Sequence, residues 1–156
     1  MAVIAIDHRT RVSREPMLRH LREYSHIALK GHALVEEMLD QIIAQRCCAA
    51  SVLENVEINF YIKAKLARAL VGDSRGLDLW SLVWRLYLIQ SRVVRTLESR
   101  GVRQSIGEFI QIASEWTKSP MPMISTDEHL ASSFAESIES VLGALAAIES
   151  EVCKGR

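Results

Sequence analysis

Between Asp78 and Ser99 the chain places an apolar residue at every third or fourth position: Leu79, Leu82, Val83, Leu86, Ile89, Val93 and Leu97. At about 100° per residue these side chains share one arc of a helix, the arc that packs into a core. A second strip lies beside it, in which Trp80, Trp84, Tyr87 and Leu88 lead down to Ser91 and Arg95. One core contact occupies an arc of about 100°, so a helix apolar over more than that needs two partners. Either its own domain wraps it completely, or the second strip meets another copy of the chain. The second arrangement is the expectation here, because aromatic residues are enriched in interface cores. It makes the protein a homodimer through Trp80, Trp84, Tyr87, Leu88, Ser91 and Arg95.

The segments around this helix have the same period. Pro16 follows Ser13 at a position suited to a first helical turn, and Ile27, Leu34, Val35, Met38, Leu39, Ile42 and Ile43 recur at helical spacing. That predicts a long helix over 16–46, with Gly31 the point at which it would kink. Residues 1–15 carry Arg9, Arg11 and Arg14 without periodicity and read as an irregular arm, leaving 16–156 as one helical domain. Asn59 is a suitable N-cap for a helix over 60–71 that ends at Gly72. Gly76 and Asp78 introduce the third helix, which stops at Gly101. Ser105 and Glu108 have capping-box spacing ahead of Phe109, Ile112, Ala113 and Trp116, and Ser125 and Glu128 repeat it ahead of Leu130, Phe134, Ile138, Val141, Leu142, Leu145 and Ile148. With 156 residues, 49% apolar, and only seven Gly and three Pro, the chain is too poor in turn formers for a β fold. The fold class is all-α, an up-and-down bundle of about five helices.

Charge and cysteine content narrow the function classes. Nineteen basic and nineteen acidic side chains cancel, so the whole chain has no bulk attraction for nucleic acid or anionic lipid, and any such role falls to a local patch. The charges are unevenly spread: residues 1–100 are net +4 and residues 101–156 net −4. Cys47, Cys48 and Cys153 are an odd number with two adjacent, which encodes no disulfide framework and suits a reducing, cytoplasmic setting. The opening apolar run is six residues long, too short for a signal sequence, and no uninterrupted apolar run approaches the roughly eighteen residues of a membrane span. No membrane association is expected.

His20, His26 and His32 are six residues apart on the first helix, rotated by about 120° from one another, and cannot converge on one ion. His32, Glu36 and Asp40 share a face at i, i+4 and i+8, which reads as a polar stripe with the imidazole paired to Glu36. No metal and no cofactor is expected, and no Ser-His-Asp set, phosphate-cradling Gly loop or helical H-E-x-x-H pair is present.

Three strings in order carry a family resemblance: ALKGHALVEEMLD from Ala28 to Asp40, NFYIKAKLARAL from Asn59 to Leu70, and LWSLVWRL from Leu79 to Leu86. Over about residues 20–98 the chain resembles the HEPN superfamily, and in particular its small bacterial members. The resemblance implies a helical bundle, usually dimeric, in which the motif helices of two subunits face each other. Many members are metal-independent ribonucleases of toxin-antitoxin and phage-defence systems that use an Arg-polar-x-x-x-His motif at the dimer cleft. Aligned on Leu86, Leu97 and Glu98, the motif arginine falls on Gln90, its polar neighbour on Ser91 and its histidine on Arg95. An amide supplies no fixed charge to a phosphate, and a guanidinium stays protonated far above neutral pH, so neither does the work of the residue it replaces.

The expectation is therefore a catalytically degenerate HEPN-like module that binds a partner protein or RNA, with Arg85, Arg92 and Arg95 available for phosphates. Gln90 is expected to be a buried, hydrogen-bonded amide among Leu86, Val93, Val94 and Leu97, and Arg95 to stack on an indole or pair with a carboxylate. Two alternatives stand beside it. One is a ribonuclease with a rearranged site using His26 or His32. The other is a repressor-like, transcription-associated regulator, since looser relatives of the fold include a mannitol-operon regulator.

Overall fold

The computed structural model describes the backbone of residues 8–72, 77–95 and 99–153, and side chains within 22–72, 78–95 and 100–151. Five helices account for most of it: α1 (His8–Arg46), α2 (Phe60–Val71), α3 (Leu77–Arg95), α4 (Ser99–Thr117) and α5 (Asp127–Cys153), with a short 3-10 turn at Ala50–Leu53. Among the described residues there is no strand, so the all-α class and the count of five helices hold. Leu97, Glu98, Gly76 and the first seven residues of the expected arm lie outside the described residues.

Two helices begin earlier than their sequence signals suggest. α1 starts at His8, so residues 8–15 are helical where an irregular arm is expected, and Pro16 falls within the helix. Once a helix is nucleated, each added residue adds a hydrogen bond, and the arginines of this stretch are good helix formers. α4 starts at Ser99 and passes through Gly101 to Ser105. Val102 and Ile106 are fully buried and extend the core stripe of Phe109, Ile110 and Ala113 by two turns, which outweighs the cost of about 1 kcal/mol for a helical glycine. Ser105 is therefore no cap: its hydroxyl donates back to the Gly101 carbonyl at 3.0 Å.

Other ends match their signals. Asn59 accepts from the Ile62 amide at 3.0 Å, and Gly72, at φ +81°, closes α2 with its N–H on the Arg68 carbonyl. α5 is capped one residue later than the Ser125 box predicts, by the Thr126 hydroxyl accepting from the His129 amide at 3.1 Å.

α5 packs mainly on α1 and α4, α3 lies against α1 and α4, and α2 covers a side of α1 and α3. α1 does not break at Gly31. The glycine lets α5 approach closely, since a Cβ there would stand 2.8 Å from Ile138 Cδ1 and 3.0 Å from its Cγ2. Phe109 and Phe134 meet edge to face at 5.5 Å, and with Leu39, Ile42, Leu86 and Leu145 they are fully buried. Each such side chain contributes about 1.5–3 kcal/mol relative to exposure.

A polar tie crosses the same side. Tyr24 of α1 donates to the Asp127 carboxylate at 2.9 Å, and Arg103 of α4 pairs with that carboxylate at 2.9 Å. Burial, and then the bond to Asp127, push the Tyr24 phenol well above its ordinary range. By length and mean hydropathy (1.2) α5 is apolar enough to cross a membrane, yet Leu130, Phe134, Ile138, Val141, Leu145 and Ile148 along it are buried in this core.

Candidate functional site

The aromatic residues of α1, α2 and α3 gather at one place. Phe60 opens α2 and is held there by the Asn59 cap, which turns its ring inward. It stacks on Tyr87 of α3 at 5.2 Å and 10°, and the His32 imidazole of α1 sits 4.4 Å from Phe60 and 5.8 Å from Tyr87. Trp84 lies 5.0 Å from Tyr87 and meets Tyr61 edge-on at 5.3 Å. His32 Nε2 is buried without a hydrogen-bond partner. Burial pulls its pKa below the ordinary value against the opposing charge of Glu36, so the ring is neutral near pH 7. The expected His32–Glu36 pairing is replaced. Lys63 of α2 reaches across to Glu36 at 2.9 Å and Asp40 at 2.8 Å. Burial lowers the Lys63 pKa, but its bonds to Asp40 and Glu36 outweigh this, so the net shift is upward.

This arrangement redistributes the second strip of α3. Trp80 is only 7% exposed and belongs to the chain's own core, and Trp84 and Tyr87 are half-buried against α2 and α1. What remains open is Leu88, 48% exposed, with half-buried Ser91 and exposed Arg95 below it. The indoles therefore anchor α3 first to α2, a partner that the periodicity of α3 alone cannot reveal.

Two grooves flank that open strip. On the α4 side a groove of about 420 Å³ is lined by Arg85, Leu88, Ile89, Arg92, Gln104, Ser105 and Glu108. Arg92 Nη1 donates to Ser105 Oγ at 2.6 Å and to the Gly101 carbonyl at 3.3 Å, while Arg85 pairs with Glu108 at 3.4 Å. On the α2 side a mostly apolar groove of about 320 Å³ runs between Tyr61, Lys65 and Arg68 of α2 and Trp80, Ser81 and Trp84 of α3.

Of the residues singled out from sequence, Arg85 and Arg92 share the first groove, and Arg95 does not line it. Gln90 is half-buried rather than enclosed, because Val94 beside it is 62% exposed; its Oε1 accepts from Ser91 Oγ at 3.4 Å. His26 is exposed on α1, and the side chain of His20 lies outside the described residues. Cys47 and Cys48 are free thiols. Sequence reasoning did not single out Tyr61, Lys65, Arg68 or Gln104, and it read Glu108 only as a capping-box partner of Ser105. The first three stand at i, i+4 and i+7 of α2, a spacing that marks a shared face but not the helix it meets.

Comparison with known protein families, with characterised proteins and with solved structures finds no match.

Proposed function

We propose that the chain is a HEPN-like module that binds single-stranded RNA along α3 without cleaving it, and that it works as a homodimer. The observation that supports this most is the groove between α3 and α4. Arg85 and Arg92 stand two turns apart on one face of α3, about 10 Å along the axis, with Ser105 and Gln104 opposite them. A polyanion takes such a row of guanidinium groups through its phosphates, and hydroxyl and amide groups add positioning bonds. Glu108 opposes an anion, but its pair with Arg85 is solvent-exposed and long, worth less than about 1 kcal/mol, so a phosphate displaces it readily.

Binding is favoured over cleavage by the chemistry of the neighbouring groups. Ser91 Oγ donates to Gln90 Oε1, and Arg95 stands where the ribonuclease motif has an imidazole, the usual general acid and base. His32, one of the alternative imidazoles, keeps Nε2 enclosed.

The dimer in this reading uses Leu88, Ser91 and the outer edge of Trp84. Arg85, Arg92 and Arg95 then approach their own copies, so self-association strengthens with added salt or RNA, the reverse of an interface held by opposite charges.

Fluorescence anisotropy of a labelled single-stranded RNA against salt tests the proposal. The expected result is binding that weakens at least tenfold in the Arg85→Ala, Arg92→Ala double variant, with the slope of log K on log salt reduced by about 1 to 2. Equal binding by wild type and double variant sinks the proposal. Metal-free RNA cleavage that disappears in His26→Ala or His32→Ala would establish the ribonuclease reading in its place.

A further inference from the structure

The longest helix, α1, outruns its neighbours at one end. Tyr24 meets Asp127, the first residue of α5, and Gln45 meets Glu149, so these two helices run in the same direction. Arg103 of α4 reaches the same Asp127 carboxylate, and α4 begins only one turn earlier, at Ser99. α3 ends at Arg95, close to the start of α4, since its Arg92 donates to the Gly101 carbonyl. α1 begins at His8, so about 12 of its residues, about 18 Å of helix, continue past these ends. An isolated helix of that length is marginal in water and needs a surface to pack on.

The charges of α1 are divided between its halves. Residues 8–22 hold five arginines and one glutamate, whereas residues 32–45 hold three carboxylates and no lysine or arginine. On the side of the helix away from Gly31, the positions of Arg11, Leu18, Arg22, Leu29, Ala33 and Asp40 fall within about 60° of one line. Arg22, Leu29, Ala33 and Asp40 are exposed there. A shallow groove on this face is lined by Ala33, Glu36, Glu37, Asp40, Gln41 and Ala44, all from α1, so among the described residues no other helix lies over it. Glu36 and Asp40 share the one cation of Lys63, and Glu37 has no ion pair among the described residues.

From these observations we infer that a second copy of the chain packs its α1 antiparallel along this face, the basic half of each helix lying against the acidic half of the other. The two halves of one helix cannot meet, because Arg11 and Asp40 are held about 43 Å apart on the same rod. In the register that sets Arg11 level with the partner's Asp40, Leu18 falls level with Ala33 and Arg22 with Leu29. A small residue at 33 admits the facing helix, and an arginine stem covers apolar surface at 29. Glu15 falls level with Glu36, whose charge Lys63 already meets. The contact is twofold and separate from the α3 strip, so a chain using both faces builds a closed tetramer or an open row.

Sedimentation equilibrium of the full chain carrying Leu88→Glu, which removes the α3 contact, tests the inference. The expected result is a dimer with a Kd at or below about 100 µM that weakens with added salt, the reverse of the dependence expected for α3 pairing. Arg11→Glu with Arg14→Glu weakens it at least tenfold, and Glu37→Lys with Asp40→Lys does the same, while circular dichroism shows the helices intact. Mixing these two variants restores a one-to-one dimer, since both contacts then join opposite charges. Arg85→Ala with Arg92→Ala, which tests the RNA reading, leaves this association unchanged, so either idea fails without the other. The inference is overturned if the Leu88→Glu chain is monomeric at that concentration, if either charge-reversed variant associates as tightly as its parent, or if mixing restores nothing. Loss of RNA binding with unchanged assembly in the Arg11→Glu, Arg14→Glu variant also overturns it, and makes the basic half a nucleic-acid arm instead.

Discussion

The side of the bundle built from α1, α4 and α5 and the side built from α2 and α3 solve different problems. The first is closed: Phe109 and Phe134 interlock, Gly31 admits Ile138, and Tyr24, Asp127 and Arg103 tie three helices with satisfied bonds. The second is held by stacked rings and one lysine, and α3 is flanked by two grooves, one shared with α2 and one shared with α4 of the first side. Buried polar atoms without partners occur on both sides, His32 Nε2 and Trp80 Nε1 near the rings and Gln45 Oε1 and Arg46 Nε at the end of α1, so the two sides differ in their openness, with Leu88 48% exposed on the second.

The contrast predicts a graded series of substitution effects. Phe134→Ala, on the closed side, costs about 3–5 kcal/mol by chemical denaturation. If it costs no more than Ile62→Ala, which removes a 47%-exposed side chain of α2 and is expected within about 0.5 kcal/mol, the two sides are not energetically distinct. Lys63→Met is intermediate, at about 1 kcal/mol. It removes two partly exposed ion pairs and leaves Glu36 and Asp40 facing each other one turn apart with like charge. The restoring double variant with Glu36→Gln recovers part of that loss, and failure to recover any would show that the lysine acts by packing its stem.

The smallest effect is one of pH. His32 binds its proton less readily folded than unfolded, so the unfolded chain takes up more protons below about pH 6.5, and stability falls as the pH drops through that value. Above it the contribution is complete and flat. The Glu36 carboxylate on α1, paired with Lys63 of α2, opposes this shift without reversing its sign. Thermal melts of His32→Leu should lose this part of the acid dependence, and an unchanged profile would place the titrating group elsewhere.

The closed side was the more legible in sequence. Its helices carry apolar repeats that map directly onto buried residues, as with Leu130, Phe134, Ile138, Val141 and Leu145 in α5. Asn59 and Gly72 are legible because a cap depends on the few residues next to it. Ser105 misled for the same reason: its spacing to Glu108 is that of a cap, yet Val102 and Ile106 find a core that only the folded chain provides. The candidate site was legible in part. The α3 aromatics stood out by period and Arg85 and Arg92 by their charge on that helix, whereas Tyr61, Lys65 and the environment of His32 depend on how α2 crosses α1 and α3. No local pattern in α1 distinguishes a histidine facing carboxylates from one facing rings.

The glycine at the α1–α5 crossing also governs how the molecule can move. Sliding α5 by one turn along α1 would carry Ile138 from Gly31 toward Ala28 or Val35, both fully buried and each already bearing a Cβ. That seam is pinned in register and resists shear, so any rearrangement that a ligand or partner induces is confined to hinge-like swings of α2 and the outer turns of α3 about a fixed spine.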